Sequence, residues 1–163
     1  MLKRWWWLSA VVVVLDQATK FLAELLLEMH QPVPVLPSFN LMLTYNPGAA
    51  FSFLAGAGGW QRWFFLGLGA AVSLGLVIWL TRLRPEEKRL ALALALILGG
   101  AVGNLIDRAW LGQVIDFIQL YYDRWYWPAF NIADSAITLG AALLVLDSLS
   151  GEHRHATDQE TRS

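Results

Sequence analysis

Two aspartates in apolar surroundings are the residues of this sequence best suited to chemistry. Asp116 lies within QVIDFIQLYY, flanked on both sides by aliphatic and aromatic residues that a solvated loop would not place around a carboxylate. Asp134 lies one turn into an apolar helix that begins within PAFNIADSAITLG. Because burial disfavours the charged form, we expect a raised pKa for the Asp116 carboxyl. Such groups can act as general acids and bases near neutral pH.

Other polar side chains recur at helical spacing beside these aspartates. Asn131 lies three residues before Asp134, so both occupy one face of the predicted helix. Asn104 shares a face with Asp107 and Arg108, because residues three and four apart are neighbours on a helix. Taken alone, this second group would be interpreted as a helix end with an interfacial ion pair.

The first apolar segment carries Asp16, Lys20 and Glu24 at intervals of four, so they share one helix face. We interpret Asp16 and Lys20 as an ion pair turned away from lipid, because a charge at the centre of a membrane helix costs about 2.5 to 3.5 kcal/mol. The pair neutralises itself at mid-span. This favours a supporting role, in which it shapes the site from behind, over a catalytic one.

The remaining side chains narrow the reaction class. The chain has no cysteine, and its three histidines lie outside the apolar segments, so neither a thiol nucleophile nor a histidine–metal site is expected. With two desolvated aspartates, an ionised carboxylate can take a proton from water while a protonated one polarises a carbonyl. Two neighbouring carboxyls share one proton for this purpose. The pattern favours hydrolysis of a peptide bond without a metal or a cofactor.

Composition places these residues in a membrane. Hydrophobic residues make up 56% of the 163 residues, and charged residues 15%, against about 25% in ordinary soluble domains. The formal net charge is -1 and no basic stripe is present, so nucleic acid is not an expected partner. We therefore predict an integral membrane protein.

Four segments are apolar over the roughly 20 residues that a spanning helix needs. They cover about residues 5–27, 62–80, 90–107 and 129–148. The first follows a basic N-terminus, as a secretory signal does. Its helical pattern continues through DQATKFLAELLLEM, however, which favours an uncleaved span over a cleaved signal.

The positive charges predict the orientation. Most of the 12 Lys and Arg lie before the first span, in the short connection at 81–89 or in the C-terminal tail. Because positive charges favour the cytoplasmic side, both termini should be cytoplasmic and the longer connections at 28–61 and 108–128 should lie outside. The polar residues described above then collect at one level, near the outer leaflet.

The outer connection at 28–61 predicts a small sheet on the membrane surface. Hydrophobic and polar residues alternate from Phe39 to Asn46, which is typical of a half-buried strand. Asn46 then opens the turn signal Asn-Pro-Gly, which ends at Gly48, and AFSFL predicts a returning strand.

The predicted fold is mainly α, with four transmembrane helices and a small extracytoplasmic β-sheet, or cradle. A single domain would cover residues 1–150. For the connection at 108–128 we predict a short extracytoplasmic loop or helical segment. The polar residues 151–163 show no apolar periodicity, so we predict a disordered cytoplasmic tail.

Five segments together closely resemble the bacterial lipoprotein signal peptidases, the signal peptidase II family. They are DQATK at 16–20, YNPGAAF at 45–51, GGAVGNLIDR at 99–108, VIDF at 114–117 and FNIADS at 130–135. Each is weak alone, but five in order across four spans are highly specific. The resemblance covers all four predicted spans and excludes only the C-terminal tail.

The resemblance implies an aspartyl peptidase of the bacterial inner membrane, with Asp116 and Asp134 as its catalytic pair. Its substrate would be a diacylglyceryl-modified prolipoprotein, cleaved before the modified cysteine while the acyl chains remain among membrane lipids. Globomycin-type inhibitors would block the pocket. The resemblance also implies a set of residues that line or support the site: Asn46, Gly48, Asn104, Arg108, Asn131, Asp107 and Asp16.

Two other functions fit parts of the pattern. A small transporter or proton channel could use Asp16, Lys20 and Asp134 as a relay, but it predicts repeats and polar residues through the full membrane depth, and neither is visible. A non-catalytic assembly factor could bind a partner through the polar patch. It would have no need for two apolar-flanked aspartates at one depth.

Overall fold

The structure, a computed structural model, describes residues 3–48 and 58–160. Its helices are α1 (Lys3–Leu26), α2 (Gln61–Arg82), α3 (Lys88–Trp110) and α4 (Ile132–Glu160). One antiparallel sheet has the order β1-β2-β3-β4, with β1 (Val33–Leu36), β2 (Phe39–Asn46), β3 (Val114–Tyr122) and β4 (Trp125–Tyr126). The prediction of a mainly helical protein with a small sheet is confirmed.

Three of the described helices are long and apolar enough to cross a bilayer: α2, α3 and the part of α4 from Ile132 to Leu149. Helix α1 carries two of its charges, Asp16 and Lys20, on the inside. Asp16 and Lys20 are 0% and 1% exposed, whereas Phe21 and Leu25 are 65% and 67% exposed. This is the reverse of a helix on a soluble protein and suits a helix surrounded by lipid.

Helix α3 is central, since it contacts α1, α2 and α4. Small residues allow the close approach. A Cβ atom on Gly99 would lie 2.7 Å from the Cβ of Val12 on α1, and one on Gly103 would lie 2.6 Å from Oδ2 of Asp16. The glycines of α3 therefore bring the charged face of α1 directly against it.

The connection at 108–128 differs from the prediction of a loop or helical segment, because most of it is strand. β3 runs from Val114 to Tyr122 and pairs with β2. Its first four residues are all buried, so the strand is covered on both faces and shows no polar alternation. The pattern that reveals a half-buried strand was therefore missing, although β-branched and aromatic residues are abundant.

Strand β2 is confirmed, but its alternation is interrupted. The pairing with β3 shifts register between Leu41 and Thr44, and Asn40 and Leu43 are the two buried residues of the strand. Such an irregularity re-aims the side chains that follow it. The returning strand predicted for AFSFL falls on residues 50–54, which lie outside the described residues.

The C-terminus also differs from prediction. Helix α4 continues to Glu160, so residues 151–160 are helical where a disordered tail was predicted. Once a helix is nucleated, each added residue contributes one more backbone hydrogen bond, so a span can extend into a polar sequence that would not start a helix alone. The last predicted tail residues, 161–163, are not among those described.

The sheet is fixed to the end of α1 by an apolar cluster. Ala23 of α1 packs with Leu43 of β2 and with Ile115 and Phe117 of β3, all of them buried. Because Ile115 and Phe117 flank Asp116, this contact holds that aspartate at the end of the helical bundle. Helix α4 begins at the same end, since Phe130 bridges to Ile118 of β3.

Candidate active site

A cavity of ≈ 670 Å³ lies between β3 and the first turns of α4. Both predicted catalytic aspartates, Asp116 and Asp134, line it. Three other predicted residues line it as well: Asn46, Asn104 and Arg108. The structure therefore brings together side chains from β2, α3, β3 and α4 at one place.

Asp116 projects from β3 and is only 2% exposed. Its Oδ1 accepts a hydrogen bond of 2.7 Å from Nδ2 of Asn131, and its Oδ2 accepts one of 3.3 Å from Nδ2 of Asn46. The pKa of the Asp116 carboxyl is raised from 3.8 to about 7, first because burial disfavours the charged form and second because the negative charge of Asp134 opposes ionisation. The two amide hydrogen bonds act in the opposite direction.

Asp134 lies in the first turn of α4. Its backbone N–H donates to Oδ1 of Asn131 at 2.8 Å, so Asn131 serves as the N-cap of the helix. Its Oδ1 accepts a hydrogen bond of 2.7 Å from Nδ2 of Asn104. The start of a helix stabilises negative charge, which suits a carboxylate at this position.

Asn131 and Asn104 connect the two aspartates. Asn131 is 0% exposed, and its Nδ2 donates to Asp116 and, at 3.2 Å, to Oδ1 of Asn104. Asn104 in turn donates to Asp134. Because each amide group has its oxygen and nitrogen committed to different partners, both side chains are fixed in orientation.

Arg108 and Gly48 meet at the rim of the cavity. Nη2 of Arg108 donates to the carbonyl oxygen of Gly48 at 2.9 Å, and the guanidinium lies over the ring of Phe65 at 5.3 Å. The Gly48 N–H donates to Oδ1 of Asn46 at 3.0 Å. This turn leaves Nδ2 of Asn46 directed at Asp116.

The other predicted residues, Asp16, Lys20 and Asp107, lie behind the cavity and do not line it. Nζ of Lys20 is 2.7 Å from Oδ2 of Asp16 and 2.7 Å from Oδ2 of Asp107. The pairing of Asp16 with Lys20 was predicted; the inclusion of Asp107 was not. Among residues 3–48 and 58–160, no group of three or more potential ligands could hold a metal ion.

Sequence reasoning missed two kinds of site residue. Gln17 contributes a 2.8 Å hydrogen bond from Nε2 to Oδ1 of Asp107, and its place inside DQATK was the only signal for it. The apolar wall was also missed, because attention to polar spacing gives no weight to ordinary hydrophobic residues. That wall includes Leu120, Trp127, Pro128, Phe130, Ile137 and Leu139.

Comparisons with a protein family and with individual relatives all point to one kind of protein. The family described as signal peptidase (SPase) II matches residues 8–150. The chain is 59% identical over 145 residues to the lipoprotein signal peptidase of Pseudomonas fluorescens (strain Pf0-1), covering 88% of this chain and 85% of the relative. It is 53% identical over 157 residues to that of Pseudomonas aeruginosa (strain PAO1), covering 93% of each.

Two solved structures, each described as a bacterial membrane enzyme studied by the in meso method, have the same fold. The one at 2.3 Å resolution has a TM-score of 0.79 and 31% identity, covering 88% of this chain and 85% of the other. The one at 1.9 Å resolution has a TM-score of 0.74 and 32% identity, covering 87% and 90%.

Proposed function

The chain belongs to the signal peptidase II family, and from this premise we propose that it removes signal peptides from diacylglyceryl-modified prolipoproteins. Cleavage occurs on the amino side of the lipid-modified cysteine. Asp116 and Asp134 are the catalytic pair, and residues 1–150 form one peptidase domain. The enzyme class follows from the family; the catalytic residues and the cleavage position are the substance of the proposal.

One observation carries the proposal. Two carboxyl groups from separate elements, Asp116 on β3 and Asp134 on α4, line one cavity and are linked through Asn131. The charge of Asp134 contributes to the raised pKa of Asp116, so the pair lies close enough to interact electrostatically. A pair of this kind holds a single proton near neutral pH.

The reaction follows from that shared proton. We assign it to Oδ2 of Asp116, because this oxygen has the longer hydrogen bond and Oδ1 is held by Asn131. Ionised Asp134 takes a proton from water, whose oxygen attacks the scissile carbonyl carbon as Asp116 protonates the carbonyl oxygen. As the tetrahedral intermediate collapses, one of its two hydroxyls returns a proton to Asp116 and becomes the new carbonyl, the C–N bond breaks, and the leaving amine takes the proton held by Asp134.

The cavity wall supports a lipid-anchored substrate. Apolar residues of α4, including Ile137, Leu139 and Ala142, extend the wall along a spanning helix. A substrate with two acyl chains can keep them in lipid while its peptide enters beside the aspartates. The substrate also supplies the cysteine that this chain lacks.

The surrounding residues have distinct proposed roles. Asn46, Asn104 and Asn131 orient the two carboxyls through the hydrogen bonds described above. Arg108 and Gly48 shape the rim, where a peptide carbonyl or a globomycin-type inhibitor would bind. Asp16, Lys20 and Asp107 support the site from behind.

A transport relay has less support. The three N–H groups of the Lys20 ammonium have three acceptors within hydrogen-bond distance, on Asp16, Asp107 and Asn104. A group held in this way, at 1% exposure, suits a fixed structural element better than a proton carrier.

The test uses purified protein with a diacylated precursor and the same precursor without lipid. We expect cleavage of the lipidated form alone. Asp116→Asn and Asp134→Asn should each lower kcat by at least about 10²-fold, since each removes an acid or base. Either variant retaining near wild-type turnover, with the protein still inserted and folded, would show that the catalytic pair is wrongly assigned.

A further inference from the structure

Each catalytic aspartate is preceded by a residue whose backbone is held by a buried carboxylate. The N–H of Ile115, just before Asp116, donates to Oδ2 of Asp107 at 3.2 Å. The N–H of Ala133, just before Asp134, donates to Oδ1 of Asp16 at 2.9 Å. In both cases a buried carboxylate on one helix accepts the N–H of the residue before a catalytic aspartate. The helix is α3 for the strand β3, and α1 for the helix α4.

A single ammonium group joins the two carboxylates. Lys20 contacts Asp16 and Asp107 at 2.7 Å each, and its third acceptor is Oδ1 of Asn104 at 3.1 Å. Asn104 then donates to Asp134. Lys20 is thus connected to the backbone beside both aspartates and to the side chain of one of them.

We propose that Asp16, Lys20 and Asp107 form a positioning unit that fixes the separation of the two catalytic aspartates. This rests on the proposed function, and it assigns the three residues a task beyond holding helices together. None of them lines the cavity, so they act through the backbone and through Asn104. Their effect should appear in the chemical step and leave substrate binding unchanged.

The neighbours of the unit hold it in one geometry. Nε2 of Gln17 donates to Oδ1 of Asp107 at 2.8 Å and to the carbonyl oxygen of Gly103 at 3.2 Å. The missing side chain of Gly103 leaves room for Asp16, since a Cβ there would be 2.6 Å from its Oδ2. Buried ions of this kind are a weak source of stability, because desolvation offsets much of their attraction.

Two charge-free triple variants test the unit. In the first, Asp16→Leu, Lys20→Met and Asp107→Leu remove the charges and also the acceptors of both N–H groups. In the second, Asp16→Asn, Lys20→Met and Asp107→Asn remove the charges but keep an amide oxygen for each N–H. Neither leaves an uncompensated buried charge, so both should fold.

The readout is kcat and KM on the diacylated precursor, with melting temperature measured alongside. We expect the leucine variant to lose about 10²-fold in kcat with KM unchanged, because small displacements of catalytic groups have effects of that size. The asparagine variant should retain more of kcat than the leucine variant. Equal kcat in the two variants, or wild-type kcat in the leucine variant, would overturn the proposal.

Ser9→Ala provides the matched control. The Oγ of Ser9 donates to the carbonyl oxygen of Ala95 at 2.8 Å, so it is another buried contact between α1 and α3, away from the aspartates. Its loss should lower stability but leave kcat unchanged. A fall in kcat as large as that of the leucine variant would show that any weakening of this helix pair has the same effect, and would overturn the proposal.

Two further outcomes are decisive. Failure of the leucine variant to fold would assign the unit to folding and overturn its positioning role. Failure of the proposed function would look different, since wild-type protein would then leave the diacylated precursor intact, or Asp116→Asn would cleave it.

Discussion

At the scale of the residue, Asp116 couples the stability of the fold to a proton. Its pKa is about 7 in the folded protein, against an ordinary 3.8. The folded chain therefore binds this proton more tightly than the unfolded chain does. The resulting stabilisation is fully present below the ordinary pKa and is lost as pH rises through about 7, a difference of roughly 4 kcal/mol at 1.36 kcal/mol per pKa unit.

Asp116→Asn should remove this dependence. Asparagine resembles the protonated aspartate, because its oxygen can accept from Asn131 while its NH₂ occupies the place of the protonated oxygen. We expect the wild-type protein to lose stability between about pH 4 and pH 7 relative to the variant, measured by thermal unfolding in detergent. Asp123 is exposed, and the control variant Asp123→Asn should show the same change of stability with pH as the wild-type protein. Parallel pH curves for wild type and Asp116→Asn would contradict the assignment.

Most polar residues of the site could be predicted at this scale, because helical spacing alone places Asn131 with Asp134 and Asn104 with Asp107. Gln17 could not be. It lies one residue from Asp16, and its role depends on α3 coming close enough for its amide to reach Asp107. Contacts between elements of this kind have no period in the sequence.

At the scale of the element, the helices were easier to predict than the sheet. The apolar runs that form α2 and α3 are long and continuous, which identifies a span directly. Strand β3 is short and buried on both faces in its first half, so its apolar run fits a strand and a buried helix equally well. Only its pairing with β2 decides between them.

Gly103 tests how closely α1 and α3 must approach. Gly103→Ala places a Cβ 2.6 Å from Oδ2 of Asp16, so one helix must move. We expect a loss of about 1 to 3 kcal/mol in stability, the usual range for overpacking, with reduced turnover. Gly67→Ala on α2 is the matched control, since nothing lies within 4 Å of its Cβ. It should be neutral or slightly stabilising, and equal losses in both variants would argue against a special contact at Gly103.

At the scale of the whole molecule, the candidate active site and a group of positively charged residues lie at opposite ends of the helices. The sheet and the cavity lie where α1 ends and α4 begins. The connection between α2 and α3 lies at the opposite end of the bundle; it contains Arg84 and is bordered by Arg82 at the end of α2 and Lys88 at the start of α3. By the positive-inside rule, we expect this connection to face the cytoplasm and the proposed catalytic pair to lie toward the outer leaflet.

Single cysteines can test that orientation, because the chain has none of its own. Asp123→Cys lies in the turn between β3 and β4, and Glu86→Cys lies between α2 and α3. In right-side-out vesicles, a membrane-impermeant maleimide should label Asp123→Cys and should reach Glu86→Cys only after permeabilisation. Both positions lie in connections, so a difference in labelling reports sidedness. The reverse pattern would place the aspartates on the cytoplasmic side, where a precursor whose modified cysteine lies at the outer leaflet could not reach them.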